Sequence, residues 1–304
     1  IRFDSVVRES ELLSSGKTQK VIEELKSRGV AREQEGALWF APGDEFLKDR
    51  EAVLVRSTGQ PTYFASDAAY HWEKFTSGHD RVVTVLGSNH HGHVPKLQAI
   101  ARVSGFPLEN FQVPLYQYVR VKRGDEVVKM SKRAGTYVTA KEVLDEVGKD
   151  AFTFFLLMSA PSTHMDFDLE LAKEQSQKNP VYYVQYAHAR CASILKKAEE
   201  ANFKPLNLET LNFSLLKEPE ELSLVKKMIQ FPEVVGDTAR DFQVQRLPHY
   251  VLELARIFHN FYEKNRVITE SRDLTEARLN LITANQKVLK GALGIIGVEA
   301  PEFM

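Results

Sequence analysis

This sequence has little cysteine, almost no net charge and no long apolar run. The 304 residues include one cysteine, Cys191, so no disulfide forms within the chain, and a reducing, cytoplasmic location fits this composition. No apolar stretch approaches the about 18 residues that a membrane-spanning helix needs, so no membrane partner is expected. The 40 basic and 41 acidic residues give a net charge of −1. Without an overall positive field, any nucleic-acid site must be a local patch.

What the sequence does contain is typical of a globular protein with more than one domain. Hydrophobic residues make up 43% and charged residues 27% of the chain, and its length is sufficient for two domains. There is neither an internal repeat nor a low-complexity tract. The chain starts at Ile1, without methionine and without the pattern of a signal peptide, which favours a fragment or a processed product.

One basic run, Lys129-Met130-Ser131-Lys132-Arg133, lies near the middle of the chain. Before it, the alternating segments 119–121 and 126–128 flank Arg123-Gly124-Asp125, which is the pattern of a β-hairpin. Lysine is a compact, flexible cation suited to phosphate oxygens, so a loop with two lysines could follow phosphate charge during a reaction. A solvated basic turn is the alternative, and the run by itself does not decide between the two.

The first half alternates strand and helix patterns. Short strands are predicted at 37–40 and 52–56. A β-branched run suited to a buried strand at 81–87, a helix at 95–103 and a strand at 111–121 follow in order. This order predicts a βαβ unit in a parallel sheet, whose ligands bind at the carboxyl ends of the strands.

A polar run, Ser88-Asn89-His90-His91-Gly92-His93, follows the strand that ends at Gly87. Three neighbouring histidines suggest zinc, but no second ligand cluster has the spacing that structural zinc sites use, so we assign no metal. Two alternatives remain for these side chains. They contact the sugar and base of a nucleotide, or they are exposed loop residues without a role.

A capped helix is predicted after the lysine run. Thr139 and Glu142 have the spacing of a capping box, Gly148 ends the helix, and a second helix begins at Asp150. The lysine run therefore lies between a hairpin and a capped helix, which would anchor it on both sides.

From Pro180 onward the pattern changes to long helices without a convincing strand. The apolar face of the first helix consists of Val184, Ala187, Cys191, Ile194, Leu195 and Ala198. Tyr182, Tyr186 and Arg190 lie on the opposite strip, where they could stack on unpaired RNA bases or pack against a neighbouring helix. A loop is predicted at 202–220, and further helices at 247–267 and 279–296.

Four segments together resemble one family of enzymes. Lys129-Met130-Ser131-Lys132 resembles the Lys-Met-Ser-Lys-Ser signature of class I aminoacyl-tRNA synthetases. Three other segments look like arginyl-tRNA synthetase of the bacterial type, namely Gly59 to Asp67, Gln175 to Arg190 and Ala300 to Met304. Because these segments stand in the family's order, the whole chain resembles the carboxyl-terminal part of such an enzyme.

The chain also departs from the family's pattern. The family's other signature, a His-x-Gly-His turn, belongs on the first strand of the nucleotide-binding fold. His90-His91-Gly92-His93 imitates its letters but follows a later strand, and we interpret it as the family's ribose- and adenine-contacting segment. There the family commonly has aspartate where this chain has Asn89, which still hydrogen-bonds ribose hydroxyls but carries no charge. The resemblance thus implies that the true signature, the first strands and an N-terminal RNA-contacting domain are missing.

The resemblance implies an activity and its ligands. The family activates arginine with ATP and Mg²⁺ to arginyl-adenylate and then esterifies tRNA(Arg). The first step is an in-line displacement at the α-phosphate, which depends on positioning and on charge stabilisation. We expect this chain to be a monomer without a tightly bound metal, and to be inactive alone as a truncated ligase. The alternative is a stand-alone tRNA-binding module derived from a synthetase.

The implied site residues fall into four groups. Lys132 and secondarily Lys129, with Ser131, are catalytic, because lysines stabilise charge on the departing pyrophosphate. Tyr63 and Asp67 bind arginine, since a carboxylate and a guanidinium form strong paired hydrogen bonds, although Asp67 as a helix cap and Tyr63 as a core residue are alternatives. ATP would be bound by Gly87, Asn89, His90, His93, Met130 and Lys132, and tRNA by Tyr182, Tyr186, Arg190 and Met304.

The expected fold is α/β followed by all-α. Residues 1–158 would form the second half of a parallel-sheet, Rossmann-like catalytic domain. Residues 159–179 would be a connecting, stem-contact segment, and residues 180–304 a helical anticodon-binding domain.

Overall fold

The computed structural model describes residues 2–43, 47, 51–124, 126–128, 138–203 and 212–304. The chain divides into two compact units, Ile1–Tyr116 and Gln117–Met304, each with its own hydrophobic core. The domain boundaries expected at 158/159 and 179/180 stay a prediction. No described helix has both the length and the apolar character that crossing a membrane requires.

The first unit contains an antiparallel sheet and a parallel, helix-linked part. Its described elements are α1 (Glu9–Ser14), α2 (Lys17–Ser27), β1 (Ala31–Gln34), β2 (Ala37–Phe40), β3 (Ala52–Val55), α3 (Tyr63–Thr76), β4 (Val82–Val83), β5 (Leu86–Gly87), α4 (Val94–Ser104), β6 (Phe111–Gln112) and β7 (Leu115–Tyr116). Strands β1, β2 and β3 pair in that order, which confirms the two strands predicted at 37–40 and 52–56.

The predicted βαβ unit is present in the first unit, but its strands are short. Strands β4 and β5 run parallel to β6 and β7, and α4 connects the two pairs. The prediction of one continuous buried strand at 81–87 is wrong, because Val83 and Val85 are 37% and 63% exposed. A β-branched run indicates a preference for extended backbone, whereas burial depends on what covers each face. The strand predicted at 111–121 is also interrupted, since Pro114 has no amide hydrogen for a ladder.

The second unit combines a small sheet with a helical bundle. Its described elements are β8 (Val119–Arg123), β9 (Glu126–Val127), α5 (Ala140–Val147), α6 (Lys149–Met158), β10 (Met165–Asp168), α7 (Leu169–Lys173), α8 (Pro180–Glu200), α9 (Pro219–Ile229), α10 (Phe231–Asp241), α11 (Arg246–Lys264) and α12 (Arg272–Ile295). Strands β8 and β9 form the predicted hairpin. Strand β10, which was not predicted, runs parallel to β8.

The capped helix predicted after the lysine run is confirmed as α5. The Thr139 hydroxyl accepts a hydrogen bond from the Glu142 amide at 3.1 Å, and the Glu142 carboxylate accepts one from the Thr139 amide at 2.7 Å. Both orphan amides at the start of the helix are thus satisfied. Gly148 ends the helix with a φ of 81°, which glycine adopts without strain.

In the helical bundle, the buried residues agree with the predicted apolar faces, whereas the helix limits differ from the predicted ones. On α8, Val184, Ala187 and Cys191 are fully buried, and α11 contributes Phe258 and Phe261 to the same core. The loop predicted at 202–220 gives way at Pro219 to α9, and α10 follows; neither helix was predicted.

The start of α12 lies before the predicted residue 279. The Ser271 hydroxyl caps the helix by accepting a hydrogen bond from the Leu274 amide at 3.4 Å. The first two turns bury Thr275, Glu276 and Arg278. Because these buried residues are polar, the apolar periodicity that marks a helix begins only afterwards.

Candidate functional site

Two residues expected at the arginine site lie in the first two turns of α3. Thr62 is the N-cap of this helix, because its hydroxyl accepts a hydrogen bond from the Ala65 amide at 3.4 Å and donates one to the Val53 carbonyl at 2.5 Å. The alternative in which Asp67 caps the helix is therefore wrong. The core position considered for Tyr63 is also wrong, since this side chain is 75% exposed. Both side chains remain available to a ligand.

The Asp67 carboxylate lies beside an imidazole from the polar run. Its Oδ2 atom is 3.5 Å from Nδ1 of His93. Burial raises the pKa of Asp67, and the approach of His93 offsets part of this rise. A desolvated carboxylate of this kind gains from a fixed cationic partner. Asp67 also lines a cavity of about 190 Å³, together with Tyr63, Ser66, Tyr70 and the acidic residue Glu9.

The polar run forms a turn of 3₁₀ helix over Ser88–His93, directly after β5. A Cβ atom at Gly87 would lie 2.8 Å from the side-chain oxygen of Asn89 and 3.7 Å from the Tyr116 ring, so a larger residue there would require the Asn89 side chain to move. The His90 and His93 rings meet edge to face with centroids 5.5 Å apart. Within the described residues, no group of three or more acidic, histidine or cysteine side chains is arranged to hold a metal.

The structure thus brings together two groups that lie apart in the sequence. His93, expected at the ATP site, contacts Asp67, expected at the arginine site, and His90 lies next to His93. Asn89 belongs to the same turn as His90 and His93, and Gly87 is the N-cap of that turn. The predictions of arginine and ATP contacts for these residues remain untested, but their proximity is what a site that joins two substrates requires.

One buried residue of this region was missed in the sequence. His71, which is 4% exposed, lies one helical turn after Asp67. Its Nδ1–H donates to the Asp67 carbonyl oxygen at 2.8 Å, and its Nε2 atom accepts from the Thr84 hydroxyl at 3.0 Å. Burial lowers the pKa of His71 to about 4, so the ring is neutral. His71 therefore connects α3, the helix of Asp67, to the segment between β4 and β5. The sequence signal that could have identified it is its spacing of four residues from Asp67, which places both on one face of a helix.

The residues expected to be catalytic, Lys129, Ser131 and Lys132, and Met130 of the expected ATP site, lie outside the described residues. The segments on either side of them are described. Arg123 of β8 binds the Glu146 carboxylate of α5 through two hydrogen bonds of 2.8 Å, and the Lys173 ammonium binds the same carboxylate at 3.0 Å. These cations hold the pKa of Glu146 below its usual range. The hairpin before the lysines and the helix after them are thus tied to each other.

Tyr186 and Arg190, expected to bind tRNA, belong to an aromatic group that we call the α8–α11 cluster (Tyr186, Arg190, His259, Tyr262). The Arg190 guanidinium donates to the Tyr186 hydroxyl and lies 5.2 Å and 5.1 Å from the ring centroids of Tyr186 and Tyr262. The Tyr186 ring is stacked on His259 with centroids 5.7 Å apart. Packing against a neighbouring helix is therefore present, while residue Tyr262 is still 37% exposed. His259 and Tyr262 were not predicted from the sequence.

The other two residues expected to bind tRNA lie elsewhere in the second unit. Tyr182 lines a groove of about 530 Å³ at the start of α8. Met304 is half exposed at the end of a tail held along α8. In this tail, the Glu299 carbonyl accepts from Gln185 at 3.0 Å, the Pro301 carbonyl lies 2.8 Å from Nδ1 of His188, and the Lys196 ammonium lies over the Phe303 ring.

Two family models match the chain in succession. The model of the catalytic domain of class I (R) tRNA synthetases matches residues 1–159, and that of the DALR anticodon binding domain matches residues 184–304. The fold is therefore that of a class I aminoacyl-tRNA synthetase. The chain belongs to the arginyl-tRNA synthetase family.

Similar proteins share this organisation over the whole chain. An arginine–tRNA ligase of Geobacter sp. is 48% identical over 100% of this chain and 55% of its own length. Among solved structures, one from Campylobacter jejuni, provisionally described as an arginyl-tRNA synthetase, has a TM-score of 0.86 at 29% identity and matches 100% of this chain and 65% of its own. The Thermus thermophilus arginyl-tRNA synthetase has a TM-score of 0.79 at 25% identity and matches 100% and 60%. The chain thus spans about half the length of the curated relatives it matches.

Proposed function

We propose that this chain takes part in the ATP-dependent attachment of arginine to tRNA(Arg) through arginyl-adenylate. Arginine, ATP with Mg²⁺ and tRNA(Arg) are the proposed ligands, and a cytoplasmic location follows from them. The observation that supports the proposal most is the 3.5 Å approach of Asp67 to His93, which joins the two groups expected to bind arginine and ATP.

In the first proposed step, Asp67 and Tyr63 orient the arginine side chain. The guanidinium stays protonated and donates paired hydrogen bonds to a carboxylate. It would add a permanent positive charge beside the partly desolvated Asp67, whose pKa burial keeps raised despite His93, and this favours binding at this position. The carboxylate of the bound arginine then attacks the α-phosphorus of ATP, and pyrophosphate leaves.

The nucleotide is proposed to lie along the turn that follows β5. Asn89, His90 and His93 supply polar atoms for its sugar and base, and Gly87, the N-cap of this turn, is the further residue proposed to contact it. Lys132 and Lys129, with Met130 and Ser131, would contact the phosphates and stabilise the charge on the departing pyrophosphate. In the second step, a terminal ribose hydroxyl of tRNA attacks the arginyl carbonyl and AMP leaves.

The α8–α11 cluster is the proposed platform for an unpaired anticodon base, with Tyr182 and Met304 as further RNA contacts. Tyrosine rings and a guanidinium plane both stack on bases, and stacking contributes about 1–3 kcal/mol per base. The partial exposure of Tyr262 beside the buried core supports this use of the surface.

A chimera tests the catalytic part of the proposal. In it, this chain replaces the matching 55% of the Geobacter relative. We expect arginine-dependent ATP–pyrophosphate exchange from the chimera, and a slower exchange after Lys132→Ala with tRNA(Arg) affinity unchanged. A folded chimera that binds tRNA(Arg) but shows no ATP–pyrophosphate exchange would contradict the ligase proposal. It would favour the alternative, a tRNA-binding module derived from a synthetase.

Filter binding of tRNA(Arg) to the 304-residue chain tests the RNA part. Arg190→Gln should weaken binding by about 1–3 kcal/mol and reduce the preference for the tRNA(Arg) anticodon over anticodon variants. Lys290→Gln, which removes an exposed cation of α12 outside the cluster, is the charge-matched control and should have little effect. Equal affinity of the unmodified chain for tRNA(Arg) and for all anticodon variants would contradict the proposal that the second unit recognises the anticodon.

A further inference from the structure

We propose that a groove beside the C-terminal half of α8 binds the phosphate backbone of the RNA strand whose base stacks on the α8–α11 cluster. The inference rests on the proposed function and specifies a phosphate-binding subsite for it. We call this surface the Lys197–Arg266 groove. It has a volume of about 470 Å³ and is lined by Ile194, Lys197 and residues 262–268.

The groove is continuous with the proposed base platform. Tyr262 lines the groove and also carries the Arg190 guanidinium 5.1 Å from its ring centroid. Ile194 lies one helical turn after Arg190 on α8. Because the phosphate of a nucleotide lies close to its base, a strand that stacks a base at Tyr262 would place a phosphate in or beside this groove.

The charges of the groove favour an anion. Lys197 and Arg266 are exposed, and neither side chain has a partner among the residues that the structure describes. Other cations nearby are engaged: the Lys264 ammonium binds Glu220 at 2.7 Å, and Lys196 lies over the Phe303 ring. Glu263 is the acidic side chain of the lining and opposes an anion there. Two cations against one carboxylate leave a local positive patch in a chain whose net charge is −1.

The backbone at Arg266 is fixed by hydrogen bonds, one of them from a buried side chain. The Arg278 guanidinium, which is buried, donates to the Arg266 carbonyl oxygen at 2.6 Å and to the Glu221 carboxylate at 2.6 Å. The amide of Asn265 donates to the Phe261 carbonyl at 2.9 Å. With this backbone fixed, only the side chain of Arg266 must be ordered when a phosphate binds, which lowers the entropic cost of binding.

Lysine and arginine contacts to phosphate position a strand without reading its sequence. The groove should therefore contribute to affinity for every anticodon sequence, whereas the α8–α11 cluster should contribute to discrimination. An acidic protein segment is the alternative occupant that the experiment must separate.

The experiment measures the affinity of the chain for tRNA(Arg) and for one anticodon variant between 50 and 200 mM KCl. Lys197→Gln and Arg266→Gln should each weaken binding by roughly two- to fivefold, by the same factor for both RNAs. Each should also reduce the slope of log Kobs against log[salt] by about 0.7, the value for one phosphate contact on a single strand. Glu263→Gln should strengthen binding, and Lys290→Gln is the control.

The outcomes separate this inference from the function on which it rests. If the unmodified chain binds both RNAs equally, the proposed anticodon role fails. If it prefers tRNA(Arg) but the Lys197 and Arg266 variants keep its salt slope, the phosphate subsite is overturned. A Lys197-dependent binding of polyglutamate with no change in RNA affinity would also overturn it, in favour of an acidic protein partner.

Discussion

Arg278→Met should lower the free energy of unfolding of the second unit by about 3–5 kcal/mol. The Glu221 carboxylate is fully buried, and the Arg278 guanidinium 2.6 Å away is its charge partner. Removing the guanidinium leaves an ionised or newly protonated carboxyl group in the core. It also removes the donor to the Arg266 carbonyl and the donor 3.3 Å from the Asn265 side-chain oxygen.

A matched double variant isolates the cause of this loss. Replacing a buried pair by apolar residues of similar volume is often neutral, so Glu221→Leu combined with Arg278→Met should recover most of the stability. Recovery should be incomplete, since the Glu218 amide loses the Glu221 carboxylate that accepts from it at 2.9 Å. Thermal unfolding followed by far-ultraviolet circular dichroism measures both variants. A double variant as unstable as Arg278→Met would show that an unpaired buried charge is not the cause.

His71→Gln should remove about 3 kcal/mol of the pH dependence of stability in the first unit. The pKa of the folded His71 is lowered from 6.5 to about 4 by burial, so between these values the unfolded chain binds a proton that the folded chain does not. The contribution of this residue is fully present above pH 6.5 and is lost as pH falls toward 4. A depression of this size corresponds to about 3 kcal/mol by linkage.

Tryptophan fluorescence makes the His71 measurement specific to its unit. The chain has two tryptophans, Trp39 and Trp72, and both lie in the first unit. Denaturant titrations of the chain and of His71→Gln at pH 7 and pH 4 give the two differences in unfolding free energy. The variant should be less stable than the unmodified chain at pH 7. Glutamine replaces only part of the hydrogen bonding that the His71 ring makes with the Asp67 carbonyl and the Thr84 hydroxyl. Equal differences at both pH values would show that His71 titrates alike in the folded and unfolded chain.

Local chemistry explains which elements could be predicted from sequence. The capping box of Thr139 and Glu142, the β8–β9 hairpin and the apolar face of α8 each depend on residues a few positions apart. Elements whose buried residues are polar were missed or misplaced, as at the start of α12, because apolar periodicity marks only apolar burial. Strand β10 was not predicted because it is formed by pairing with β8, which lies far away in the chain.

The sequence by itself determined the family, the α/β-then-helical order and the residue types of the proposed sites, because motifs and periodicity are properties of neighbouring residues. Tertiary structure alone decided which distant residues meet. It placed His93 against Asp67, buried His71 with its ring bonded to the Asp67 carbonyl and the Thr84 hydroxyl, and set His259 and Tyr262 of α11 against Tyr186 and Arg190 of α8. It also decided that Thr62, and not Asp67, caps α3. Such contacts depend on how elements pack, and packing is settled by the burial of whole faces rather than by any short stretch of sequence.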